Sequence, residues 1–356
     1  MVHLRIVAPS DQSQRAMGLL LESASVCNVI LLEGAAQRPA GDVILCDVAR
    51  EDASVVLGDL KELGIHKTGS IALEVVDTEI SEFADAAERH ARGAQSDAVV
   101  WEEVEERTSE GVELSAVFLA FMVLAGLIAS VGILLNSAIL IVGAMVVGPE
   151  FGPIAGICVA LVQRRRGLAV RSLVALAVGL PAAITAAFVT VLVFKTTGVG
   201  PEAFTREDHE LANVISSPDF FAFFVAACAG AAGMLSLSTA KSGALIGVLI
   251  SVTTIPAAAN IGLAAAYQDW PSWRGSMAQL AINLSAILLA GTATLFVQRV
   301  LYDRRRRRHH DERDGHDPLP SEGTRRHIGA EPARVKRAAR ERARDRGEER
   351  PVRGRG

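Results

Sequence analysis

The sequence predicts a membrane α-helical bundle of six transmembrane helices, preceded by a small α+β domain and followed by a disordered basic tail. Six hydrophobic runs, at about 114–135, 137–162, 168–194, 220–239, 242–266 and 277–301, each meet or exceed the length that spans a bilayer core. Charge divides the chain into three zones. Residues 1–113 hold 22 acidic and 9 basic side chains, residues 114–301 hold 7 and 9, and residues 302–356 hold 11 and 18. Before residue 77, β-branched runs alternate with helical patterns. A soluble acidic zone, a lipid-embedded zone and a tail too polar to build a core follow from these three facts.

Within residues 1–76, Val2–Val7 reads as a strand ended by Pro9-Ser10-Asp11, with Ser10 or Asp11 as cap of a helix to about Ser25. Ala16, Leu19, Leu20 and Leu21 fall on or near its inner face. Val26–Glu33 and Asp42–Val48 are strands joined by the turn-rich GAAQRPAG. Glu51–Leu63 is helical by pattern, Gly64 stops it, and Ser70–Val76 supplies a fourth strand. The order βαββαβ is that of a ferredoxin-like domain. It contains no phosphate loop, nucleophile elbow or clustered acid/base set, and His3 and His66 stand isolated, as structural or solvated side chains.

Residues 77–113 form an acidic helical connector, with helices at Glu79–Arg92 and Trp101–Arg107 broken near Gly93. The EEVEER run reads as a solvated helix face, and Gly111 marks its end before lipid. Four scattered cysteines without a CxxC pair argue against a disulfide framework or a thiolate metal site. The start lacks a basic flank followed by an apolar run, so no cleavable signal peptide is expected, and the first membrane helix acts as the targeting signal.

Arg164–Arg166, Lys241 and Arg304–Arg308 fall on one side if the six helices cross alternately. By the positive-inside rule that side is the cytoplasm, which places both termini inside an inner (plasma) membrane, multi-pass protein. Trp270 and Trp273 then mark the outer interface and Tyr302 the inner one. Ala226, Gly230 and Gly233, and Gly243 and Gly247, allow close helix approach, and a homo-oligomer in the lipid bilayer is expected. The tail from 302 carries no aromatic stacking residues beyond Tyr302 at its edge, so it reads as a lipid-attracted anchor with no nucleic-acid partner.

The second span carries the chemistry. Gly148, Pro149, Gly152 and Pro153 interrupt it, and Glu150 stands between the two Gly-Pro steps. Broken backbone at membrane depth survives only beside protein or a water-filled cavity, and an ionisable residue there marks a functional site. At GAMVVGPEFGPI the chain resembles the bacterial and archaeal family known as domain of unknown function 389, an uncharacterised hydrophobic membrane domain. AGAAGMLSL at 229–237, GALIGVLISVTTIPAAANIG at 243–262 and the INLSAILLAG run holding Asn283 carry the same resemblance, which covers roughly residues 115–300. It implies a location and an architecture, and a soluble N-terminal domain is common in similar proteins; it implies no settled activity.

Two halves of three spans each have opposite orientation, and the middle span of each contains a proline, Pro153 and Pro256, at a matching depth. That predicts a 3+3 inverted repeat with broken second helices, the arrangement that builds transporter sites. The predicted transport site holds Pro149, Glu150, Gly152, Pro153, Thr253, Thr254, Pro256, Asn260 and Asn283, for a small solute or ion. The alternative is a membrane-embedded sensor or scaffold whose N-terminal domain binds an effector or partner. No catalytic, cofactor-binding or metal residues are assigned. The spans hold no histidine, no Asp pair and no HExxH, so an intramembrane enzyme is not expected.

Overall fold

The computed structural model describes residues 1–76, 79–91, 99–201, 204, 209–238 and 246–314, with backbone alone at 246–253, 305 and 308–314. Two compact units divide the chain, Met1–Tyr302 and Asp303–Gly356, and residues 315–356 of the second lie outside the described residues.

The first unit opens with β1 (Val2–Ala8), α1 (Ser10–Glu22), β2 (Val26–Gln37), β3 (Ala40–Val48), α2 (Arg50–Glu62), α3 (Ile65–Thr68) and β4 (Ser70–Val75). The strands form one antiparallel sheet in the order β2-β3-β1-β4. Val2 lies opposite Val48 and Val75, and Ile6 opposite Ile44 and Ile71, so alternate residues share a face. Val2, Leu4 and Ile6 meet Ile44 and Cys46 there, closed over by Leu20 of α1 and Val56 and Leu60 of α2. On β1's other face His3 Nδ1 pairs with Asp47 Oδ1 at 2.7 Å, a structural contact.

Neither Ser10 nor Asp11 caps α1. The helix starts at Ser10 on the carbonyl of extended Pro9, which accepts from Gln12 and Ser13, and no side chain caps it. Proline supplies the non-helical angles that a cap position needs, and the Ser13 hydroxyl turns to Asp42.

The connector supplies α4 (Glu82–His90), capped by Ser81, and α5 (Trp101–Gly111). EEVEER is not a solvated face. Glu103 Oε2 meets Arg50 Nη2 at 2.7 Å, Glu102 receives Ser54 Oγ at 2.8 Å and Lys61 Nζ at 3.0 Å, and Glu105 pairs with Arg165. The run is acidic because it sits between basic side chains of α2 and of the bundle. α2 is buried nearly all round, its charged Arg50, Glu51, Asp52 and Asp59 included. Trp101, Val104 and Val112 carry the other side of α5 into the bundle, against Ala155, Val159 and Leu168.

The bundle comprises α6 (Ala116–Leu134), α7 (Ala138–Val147), α8 (Phe151–Gln163), α9 (Arg166–Thr197), the short α10 (Glu210–Ile215), α11 (Phe220–Ser238), α12 (Ile246–Tyr267) and α13 (Trp270–Asp314). Among the described residues, four of these helices are long and apolar enough to cross a membrane, or up to five if α7 and α8, bent by 54°, count as one span. The fifth expected span is the 22-residue α12. It runs as one helix through Pro256, so the second interruption expected from the sequence is absent. A lone proline removes one backbone bond without ending a helix, as Pro181 also does inside α9. The link 239–245, with Lys241 and Gly243, lies outside the described residues.

Two ends of the bundle are defined by contacts. At one, Arg165 meets α5, Arg299 lies 5.4 Å from the Trp101 ring and 5.2 Å from that of Tyr302, and Tyr302 donates to the Ser54 carbonyl at 3.2 Å. At the other, Asn136 Oδ1 accepts from Leu211 N–H at 3.1 Å, Tyr267 donates to the Pro201 carbonyl at 2.8 Å, and Trp270 and Trp273 meet edge to face.

Candidate functional site

α7 ends at Gly148, whose N–H still reaches the Ala144 carbonyl at 3.1 Å, and Pro149 carries the chain out of the helix. Glu150 then stands at the N-cap of α8, with helical angles and its own carbonyl accepting from Ile154 N–H at 3.2 Å. Pro153 falls in the first turn of α8, where backbone N–H groups have no intrahelical partner, so it costs the helix nothing. The two Gly-Pro steps thus play different parts: the first breaks, the second begins again.

Glu150 has no solvent exposure. Thr254 of α12 donates its hydroxyl to Oε1 at 2.8 Å, joining the break to another helix. The carboxyl sits at the N-terminus of α8, where the helix dipole favours negative charge. Close approach is built in, since a Cβ on Gly148 would lie 2.9 Å from Ile255 Cγ1.

Two and three residues beyond Thr254, Pro256 and Ala257 line a cavity of about 410 Å³. Gln279 and Asn283 of α13 also line it, and Gln279 Nε2 donates to Asn283 Oδ1 at 3.3 Å. One turn further along α12, Asn260 Nδ2 donates to Ser276 Oγ at 2.8 Å, with both side chains fully buried.

Those contacts decide which sequence pattern matters. Residues 145–289 match the family described as Domain of unknown function (DUF389). No curated protein and no solved structure matches the chain. The DUF389 segment opens three residues before the break and closes six beyond Asn283, so it contains Glu150, Thr254, Pro256, Asn260, Gln279 and Asn283. The sheet, the connector and α6 lie outside it.

Of the predicted site residues, Glu150 and Thr254 touch, while Pro256 and Asn283 share the cavity. Asn260 faces Ser276 instead. Gly152 does not line the site: a Cβ there would fall 2.8 Å from the Gly111 carbonyl carbon, so it is a seat for α5. The side chain of Thr253 lies outside the described residues.

The sequence reading misses Ser272, Ser276 and Gln279, all buried in the DUF389 segment. With Asn283 they stand at steps of four, three and four along α13, one face of the helix. A polar stripe at that spacing in an apolar helix is a readable signal. Among the described residues no three His, Cys, Asp or Glu side chains cluster to hold a metal ion.

Proposed function

We propose that this protein is a multi-pass protein of a bacterial inner membrane that conducts or carries a small solute or ion past Glu150. The observation that carries the reading is the carboxyl itself, fully buried at a 54° helix break and held by a hydroxyl of α12. Twelve residues from Ala138 at 1.5 Å each put Glu150 about 18 Å along the path, near the middle of a ~30 Å hydrocarbon core. A carboxyl at such depth is costly unless it serves a polar path.

Six crossings with both termini cytoplasmic fit the two ends of the bundle. Arg165 and Tyr302 share the end that carries the sheet, while Trp270 and Trp273 lie at the other. The sheet order β2-β3-β1-β4 supports a ferredoxin-like regulatory module. With α12 uninterrupted, an inverted repeat finds support only in the α7–α8 half.

The test is flux in proteoliposomes. Wild-type protein should dissipate an imposed proton or monovalent-cation gradient, and Glu150→Gln should abolish that flux. A glutamine carbonyl still accepts the Thr254 hydrogen bond, so the variant should fold and insert normally. Wild-type flux from folded, inserted Glu150→Gln would refute the reading.

A sensor or scaffold role is the second reading, favoured by one contact. α5, which holds α2 through Glu102 and Glu103, seats Gly111 directly on Gly152 at the start of α8. Loss of all flux in wild type, with effector-dependent exchange in α5, would favour that reading.

A further inference from the structure

The cavity between α10, α11, α12 and α13 has a chemistry of its own. Its floor is carboxamide: Gln279 is 6 % exposed and Asn283 is 1 % exposed. Gln279 uses one of its two N–H groups on Asn283, and among the described residues its buried Oε1 has no hydrogen-bond partner. A buried carbonyl in that state bears its full desolvation cost, and a donor supplied from the cavity relieves it. What the floor offers is therefore an acceptor.

The mouth adds to this. Asp219 lines it, using Oδ1 to accept Ala222 N–H at 2.7 Å as the cap of α11. Asn213 stands beside the opening, and the exposed ring of Phe221 forms part of the rim. Among the described residues no lysine, arginine or histidine lines the cavity. An acceptor at the floor, a carboxylate at the mouth and an aromatic face at the rim select for positive charge that carries N–H donors. An anion would meet Asp219 and find no cationic partner. A calcium ion would need six to eight oxygens, whereas Asp219 Oδ1 and Asn283 Oδ1 are already taken by N–H donors and the lining holds a single carboxylate.

We infer that this cavity binds a small primary ammonium solute, its N–H donating to Gln279 Oε1 and its charge facing Asp219. The inference deepens the transport reading, on which it rests, because the cavity wall begins two residues beyond Thr254 on α12.

Binding is measured apart from flux. Purified full-length protein in detergent is titrated by calorimetry with methylammonium, tetramethylammonium, potassium and glycerol. Methylammonium should bind saturably, at least tenfold tighter than tetramethylammonium, which has no N–H. Gln279→Leu should cost at least tenfold in methylammonium affinity. Asp219→Asn keeps the helix cap, since asparagine caps as well as aspartate. It should weaken methylammonium several-fold while the unfolding temperature stays unchanged.

Equal binding of the two ammonium ions, tighter binding of potassium or glycerol, or full affinity in a folded Gln279→Leu would overturn the inference. Should Gln279→Leu not fold, an unaltered affinity in Asp219→Asn would overturn it as well. Methylammonium binding without any flux would sink the transport reading and leave the site standing. Flux of other cations without methylammonium binding would do the reverse.

Discussion

Replacing Gly152 by alanine tests how the connector is seated on the broken helix. The new Cβ would lie 2.8 Å from the Gly111 carbonyl carbon and 3.1 Å from its Cα. The Gly111 carbonyl oxygen is nearer still, and carbon atoms pack best at about 3.5–4.0 Å, so α5 and α8 must part by at least roughly 0.7 Å. All three obstructing atoms, the Gly111 carbonyl oxygen included, are backbone, so no rotamer change relieves the clash. Overpacking of this kind costs about 1–3 kcal/mol. If the cost falls on local opening of α5, its amide exchange accelerates about 5- to 150-fold. The partner substitution is milder, because a Cβ on Gly111 would stand 3.3 Å from Gly152 Cα. Hydrogen exchange of α5 in detergent, with thermal unfolding followed by tryptophan fluorescence, should therefore rank Gly152→Ala well above Gly111→Ala. Equal effects, or the reverse order, would refute the seating argument.

Ser54→Ala should destabilise α5 by about 1–3 kcal/mol, because it strips buried partners from both Trp101 N–H (2.9 Å) and Glu102 Oε2 (2.8 Å); unchanged exchange at Trp101 would count against it. Asp42 accepts from the Ser13 hydroxyl and from Gly34 N–H, and these bonds hold its folded pKa below the ordinary carboxylate value. Its contribution to stability is fully present above the unfolded pKa of about 3.9 and is lost as pH falls through the lower folded value. Exchange of β3 amides should thus rise with acid below about pH 4 in wild type, and a folded Asp42→Asn that keeps the same acid slope would contradict this. Burial, reinforced by the charges of Glu79 and Asp47, pushes the Cys27 thiol up to about 11, and burial pushes Cys46 up to about 12. At pH 8 about one Cys27 in a thousand is thiolate, so iodoacetamide should label it slowly and Cys46 only after unfolding; fast labelling of native Cys46 would disprove its burial.

The sheet was open to a sequence reading because its signal is local: Val2, Leu4 and Ile6 alternate, and their partners Ile44 and Val48 sit in a run of the same kind. The first helix break was open for the same reason, with glycine and proline adjacent at 148–149. Where the reading falls short, the deciding partner is distant. Arg50, Ser54 and Lys61 meet their partners only when α5 arrives from residue 101 onward, so nothing near them in the sequence announces the contact. Pro256 looks like a second break, yet it lies among buried Ala257, Ala258 and Ala259, side chains small enough for neighbouring helices to hold the turn in place. Gln279 sits close to an expected span end, where a single polar residue in an apolar helix draws no notice without Ser272, Ser276 and Asn283 in register.

The bond from Tyr302 to the Ser54 carbonyl joins residues 248 positions apart. Residues 1–76 leave the ribosome long before their last partner is made. At about 5–20 residues per second, 248 residues take roughly 12–50 s. Throughout that interval Ser54, Trp101 and the acidic face of α5 lack the cover that Arg299 and Tyr302 finally provide. The contacts of Arg299 and Tyr302 with Trp101 and Ser54 are therefore the last to form across this flank. A chain cut short between residues 112 and 299 would carry a finished sheet and α5 with an unsealed flank.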